Sequence, residues 1–297
     1  MTSFTSSFGL SEARAAAMAV MGPNLDANVT GATRALFEGT WDLSLPKGGA
    51  RFDDLPYGDH PRQFLDLFTP GGANAPILLF VHGGGFVAGD NRMNEHIGFF
   101  FARAGFVTAV MNYRFAPEYG WPAGAQDVSA ALDWLAGHAA DHGADGGRIV
   151  VFGQSAGATH SSGALFDASL RPRCHSAVRA AVLTSGLFEM RADLGIPGVM
   201  GYFGNDPAQY VARSPIHQLA GSTVPVMLTL AELDPPFIVR SVLDMARALG
   251  ARDGRASPLA WLKGHNHLSP VLSIGSSGDA LGSAIVQALA PFIAKTQ

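Results

Sequence analysis

The sequence predicts an α/β protein: one doubly wound, mostly parallel sheet with helices on both faces, plus a small helical cap. Three observations predict it. Short apolar runs rich in Val, Ile, Leu and Phe alternate with Ala-rich stretches of helical spacing. The runs are nearly continuous, as in parallel strands covered on both faces. Glycines and prolines fall where such a chain needs helices to stop and start.

Residues 1 to about 45 are helical in composition and precede the first strand candidate, so they are expected to fold over the sheet as a cap, with 46–297 forming the main domain. The strand candidates are QFLDLFTP (63–70), ILLFV (77–81), FVTAVMNY (106–113), RIVVFG (148–153), VRAAVLTSG (178–186), VPVMLTLA (224–231) and PLAWLKG (258–264). Between them, 92–104, 122–140, 156–166 and 235–249 carry apolar residues at helical spacing, such as Val128, Leu132 and Leu135. A last helix near 281–294 repeats the pattern with Ile285, Leu289 and Ile293. Pro122 suits the first turn of its helix, and Gly105 and Gly250 suit helix ends. The stretch 188–218, rich in Gly, Pro and polar residues, is a second cap candidate. Leu10, Met18, Met21, Leu25, Phe37, Trp41, Phe188 and Met200 in these segments are candidates either for a binding pocket or for ordinary core between cap and sheet.

With 47% hydrophobic and 15% charged residues among 297, the chain can bury a sizeable core. Its formal charge of -4 offers no basic surface for phosphate backbones, so no nucleic-acid partner is expected. Cys174 is the single cysteine, which rules out an intrachain disulfide framework and a cysteine-based zinc site and fits a reducing cytosol. The opening MTSFTSSFGLSEARAAAMAV has no basic n-region and carries Glu12 and Arg14, unlike a signal peptide. No apolar stretch reaches the roughly 18 residues needed to cross a bilayer. A cytoplasmic protein without a membrane partner is expected; the sequence carries no reading of oligomeric state.

RIVVFGQSAGA runs from a strand candidate into a small-residue helix start, and Gly153, Gln154, Ser155, Ala156 and Gly157 match G-x-S-x-G. In a nucleophile elbow the serine sits in a strained turn where bulky neighbours two residues away would clash. The plainer alternative is a serine that merely caps the helix. HGGG at 82–85, rarer by chance, follows an earlier strand candidate where acyl transfer needs amide donors. Without Cβ atoms this backbone can turn its N–H groups onto a ligand oxygen. Gly84, Gly85 and Ala156 are the expected oxyanion donors. Gly83 is either a direct contact or a tight turn, and His82 is expected to organise the loop by bonding backbone. The glycines lack the spacing of a dinucleotide or P-loop site.

A serine hydroxyl needs a histidine to take its proton, and that histidine needs an acid to fix its tautomer. On a doubly wound sheet the expected order is Ser, acid, His. Of the histidines after Ser155, His265 and His267 alone sit just past the last strand candidate, in GHNHLS. His267 is the preferred base and His265 its alternative. The H-x-H pair has no carboxylate or cysteine beside it, so no metal is expected. For the acid, AELDP ends a strand with Glu232 and Asp234. Asp234 is preferred: it precedes Pro235, which can open a helix, and lies about thirty residues before His267, room for one helix and one strand. Asp193 and Asp206 are weaker candidates.

HGGGF (82–86), NYRFAPE (112–118), WPAGAQDV (121–128), GQSAG (153–157), AELDP (231–235) and GHNH (264–267) occur in this order, and from about residue 60 onward the chain resembles the hormone-sensitive-lipase-like esterases of the α/β-hydrolase fold. The resemblance implies carboxylic-ester hydrolysis of short acyl chains without metal or cofactor, with a cap over the acyl pocket. It also implies structural roles for Arg114 and Asp127. Three departures stand out: Gln154 where that family usually has Asp, Ala158 in place of a second glycine, and HNHLS in place of a single His followed by Gly and Phe. GQSAGA and HNHLS are also similar to kynurenine-formamidase-like hydrolases, so an arylformamidase is the alternative reading. A non-catalytic small-molecule receptor on the same fold is the alternative of another class; it needs no nucleophile.

Overall fold

The computed structural model describes residues 10–277, 279 and 281–294, so residues 1–9 of the expected N-terminal cap lie outside the described residues. Among these, one sheet contains β1 (Ala50–Pro56), β2 (Phe64–Thr69), β3 (Ala75–Val81), β4 (Val107–Met111), β5 (Ala144–Gln154), β6 (Val178–Thr184), β7 (Val226–Leu233) and β8 (Leu259–Asn266). Their order across the sheet is β1-β2-β4-β3-β5-β6-β7-β8. β2 runs antiparallel to both β1 and β4; every other pair is parallel. The helices are α1 (Glu12–Met21), α2 (Ala27–Ala35), α3 (Glu95–Arg103), α4 (Ala123–His138), α5 (Ala156–Phe166), α6 (Pro197–Phe203), α7 (Tyr210–Arg213), α8 (Pro236–Asp253), α9 (Ser269–Ser273) and α10 (Leu281–Ile293).

Side chains alternate across the sheet with the strand period of two, which splits one apolar run between two cores. Leu79 and Val81 of β3 and Val151 of β5 pack with Val128 and Leu132 of α4 and Val242 and Met245 of α8. Leu78 and Phe80 of β3 and Val150 and Phe152 of β5 face the other way, onto Ile97 and Phe101 of α3 and Ile285 and Leu289 of α10. Both faces are covered, so the sheet is doubly wound as the continuous apolar runs require.

Each of the seven strand candidates contains a strand. β1 is the strand absent from the sequence reading, and its chemistry explains why. It is an edge strand with Arg51, Asp53 and Asp54 in place of an apolar face, and its register slips between Phe52 and Leu55. Polar bonds hold it there: the buried Asp66 carboxylate of β2 accepts from the Asp54 amide at 2.9 Å. The helix after β7 also runs past Gly250 and ends at Gly254, whose left-handed φ of +65° stops it.

The two halves of the fold part at β3. The chain leaves β3 for β4 on one side and later places β5 on the other, so the carboxyl ends of β3 and β5 flank a crevice at the switch point. No helix among the described residues is long and apolar enough to cross a membrane.

Candidate active site

Ser155 follows β5 directly and stands at φ +53°, ψ -121° at the head of α5, a conformation that side chains rarely adopt. Its neighbours are small because the turn has no room. A Cβ on Gly153 would stand 2.6 Å from the Gly157 carbonyl oxygen, and one on Gly157 would run into the main-chain oxygens of Val81 and His82. The elbow therefore rests directly on the end of β3.

His267, in the loop after β8, lies with Nε2 2.8 Å from Ser155 Oγ. Its Nδ1 donates to Asp234 Oδ1 at 2.6 Å. The second oxygen of Asp234 accepts from Ser185 Oγ at 2.7 Å and from the Ala231 amide at 2.8 Å, which fixes the carboxylate's rotation. Asp234 and His267 are both buried, and Ser155 is partly open. A hydroxyl, an imidazole and a carboxylate thus form one chain of hydrogen bonds ending at an accessible oxygen.

His265 turns elsewhere, with Nδ1 3.0 Å from Ser269 Oγ. Glu232 accepts from the Gly264 amide at 2.6 Å, and Asp193 and Asp206 are exposed in the 188–218 segment. These alternatives are not joined to Ser155.

The glycine loop lies alongside the elbow: a Cβ on Gly83 would come 3.0 Å from Ser155 Cβ. Gly84 and Gly85 take φ of +142° and +59°, open to glycine without strain, and both are exposed. Among the described residues no acceptor takes the amides of Gly84 or Gly85, and the Ala156 amide, first in α5, has no acceptor within its helix. His82 is buried; its Nδ1 donates to the Gly83 carbonyl at 2.6 Å and its ring stacks on Tyr113. Burial pulls its pKa down to about 4. It holds the loop as a neutral ring.

Arg114 and Asp127 form a buried stitch. The carboxylate accepts from the Arg114 amide at 2.8 Å and from Gln63 Nε2 at 2.7 Å, and pairs with the guanidinium at 2.7 Å. It ties the segment after β4 to α4 and to the start of β2.

Ser185 and Thr33 had no signal strong enough in the sequence, and Gln154 stood out only as a departure from the resembled family. Ser185 follows β6 at φ +49° and was legible only as one more strand-end serine. Gln154 Nε2 donates to the His267 carbonyl at 3.2 Å, and Thr33 Oγ1, far away in sequence, accepts from Asn266 Nδ2 at 2.7 Å. Met18 and Phe37, offered as pocket or core, are core: with Leu272 they form a buried cluster against which Leu233 and Leu268 pack. Phe188 is likewise buried, in the main core.

A cavity of about 320 Å³ is lined by Leu187, Leu194, Pro236 and Phe237 together with the charged Glu189, Arg191, Asp193 and Arg240; Ser155, His267 and Asp234 do not line it. A larger one of about 460 Å³ lies at the opposite end of β7 and β8, against α10, remote from Ser155.

The BD-FAE family model matches residues 65–169. Esterase LipI of Mycobacterium tuberculosis is 45% identical over 93 residues, 30% of this chain and 28% of that protein. Esterase LipQ of the same organism is 27% identical over 234 residues, 71% of this chain and 55% of that protein. The chain thus spans between about a quarter and about half the length of these curated relatives. The solved structure of bacterial heroin esterase superposes with a TM-score of 0.72 at 23% identity, over 96% of this chain and 98% of the other, a likeness of fold. Strand order and this likeness show an α/β-hydrolase fold, and the sequence relatives that match parts of the chain are esterases.

Proposed function

We propose that the protein is a serine carboxylesterase acting on small esters with short acyl chains. The observation that carries this reading is the unbroken series from Ser155 Oγ through His267 to Asp234, at 2.8 and 2.6 Å. In this mechanism His267 Nε2 takes the hydroxyl proton as Ser155 Oγ attacks the ester carbonyl. Asp234 stabilises the imidazolium that results. The carbonyl oxygen becomes an oxyanion held by the amides of Gly84, Gly85 and Ala156, each such donor contributing about 3 kcal/mol to the transition state. His267 then returns the proton to the leaving alcohol, and the acyl group remains on Ser155. A water molecule, deprotonated by the same imidazole, releases the carboxylic acid and restores the serine. No step calls on a metal or cofactor.

We read residues up to 45 and the 188–218 segment as cap elements over the main domain, and the free thiol of Cys174 as fitting a cytoplasmic protein.

Ser155→Ala is expected to lower turnover of a p-nitrophenyl short-chain ester by at least about 10⁴-fold, with the fold retained by circular dichroism. Unchanged turnover removes Ser155 from the mechanism. His267→Ala should lose comparably and His265→Ala far less; the reverse order reassigns the base. The GQSAGA and HNHLS segments, similar to those of kynurenine-formamidase-like hydrolases, leave one competing substrate, an N-formyl arylamide. Steady-state rates on N-formylkynurenine and phenyl acetate separate the two.

A further inference from the structure

Two departures from the related esterases, Gln154 and the HNHLS loop, meet at the backbone of His267. Asn266 organises the loop by itself: its Oδ1 accepts from the amides of Leu268 and Ser269 at 3.2 and 3.1 Å, while its own amide donates to Ser269 Oγ at 3.0 Å. These bonds close a tight turn around His267. The side-chain nitrogen Nδ2 of Asn266 donates to Thr33 Oγ1 in α2, 2.7 Å away, and Thr33 is fully buried. Gln154, the residue next to Ser155, donates to the His267 carbonyl at 3.2 Å. Apolar contacts repeat the pattern. Leu268 beside the histidine and Leu233 beside the acid both pack on the cluster of Met18, Phe37 and Leu272.

We infer that Thr33, through the Asn266 side chain, and Gln154, through the His267 carbonyl, are positioning residues for the backbone of His267, so that the N-terminal helices α1 and α2 set the aim of the imidazole. The inference rests on the reading of His267 as the base. Its physical content is rotational: the ring already has a partner at each nitrogen, and small movements of its backbone would shift both distances at once. Near-attack geometry is steep in such displacements. A threonine hydroxyl is a sparing way to fix the loop, because it accepts one bond and needs little side-chain ordering.

Three variants test this. Thr33→Val keeps shape and burial but removes the acceptor, Thr33→Ser keeps the acceptor, and Gln154→Met removes the donor at similar length. For Thr33→Val and Gln154→Met the expected result on a p-nitrophenyl ester is a fall in kcat of roughly tenfold with KM within about twofold. Thr33→Ser should retain kcat within about twofold. The low-field proton resonance of the Nδ1–H shared by His267 and Asp234 should move or broaden in Thr33→Val and stay in Thr33→Ser. Wild-type kcat and an unmoved resonance in Thr33→Val overturn the inference, as does equal loss in Val and Ser. If Thr33→Val does not fold, Gln154→Met decides alone, a wild-type kcat again overturning it. Labelling of the wild type by a fluorophosphonate keeps the two readings apart. An unlabelled Ser155 sinks the hydrolase and the positioning together; a labelled wild type with indifferent variants sinks the positioning only.

Discussion

Three histidines far from the proton-transfer chain, or beside it without joining it, make a pH statement about single residues. His82, His96 and His160 are buried, and burial pulls their pKa values down to about 4, about 4 and about 3. Released on unfolding, each would titrate near 6.5. Between about pH 6.5 and 4 the unfolded chain therefore binds more protons than the folded one, so stability is full above pH 6.5 and falls as the solution is acidified towards 4. His160 is the sharpest case: it lies on α5 with its ring edge on the faces of Phe86, Tyr113 and Tyr202, and neither ring nitrogen has a hydrogen-bond partner among the described residues. His160→Phe is expected to raise stability by about 1–2 kcal/mol at pH 7. It should also reduce the fall in Tm between pH 7 and pH 4.5. Melts of variant and wild type that run parallel across that range would assign the acid sensitivity to other groups.

Among the elements, the junction of β3, β5 and α5 has the least slack. Gly157 sits against the carbonyls that end β3, so Gly157→Ala must push the elbow away from the glycine loop. The expected cost is about 2–3 kcal/mol, read as a lower urea midpoint. Because the same movement separates Ser155 from the amides of Gly84 and Gly85, kcat per folded molecule should fall as well. An alanine variant with wild-type midpoint and rate would show that the turn yields freely. This junction was legible in the sequence, since a strand, a glycine and a serine in fixed spacing impose their geometry locally. β1 was not. Most of its residues face water or the buried carboxylate Asp66, and Leu55 alone packs on the main core, so it has neither an apolar run nor a clean alternation, and only its partner β2 makes it a strand. The end of α8 was misread by one turn because Gly250 and Gly254 offer the same local signal, and packing of the helix decides between them.

On the scale of the whole molecule, strand order does what spacing in the sequence cannot. β3 and β5 become neighbours although β4 lies between them in the chain, and this brings the glycine loop beside Ser155. β7 and β8 lie side by side, which brings Asp234 to His267. The pairing of Asp234 with His267 could be anticipated from the order of strand ends, because open sheets gather functional groups at their carboxyl edge. The links from Thr33 and Gln154 could not. Threonine and glutamine are common surface residues, and nothing local marks a hydroxyl that will accept a bond across 233 positions. That span carries a consequence for the living cell. A ribosome makes Thr33 and the glycine loop early, the reactive hydroxyl midway, and the loop with the imidazole last of these parts. While synthesis is under way, the serine stands without its proton acceptor, and the helices that would orient that acceptor have nothing yet to grip. On the proposed mechanism, the growing polypeptide would gain its reactivity towards acyl groups only once its last strand has joined the sheet.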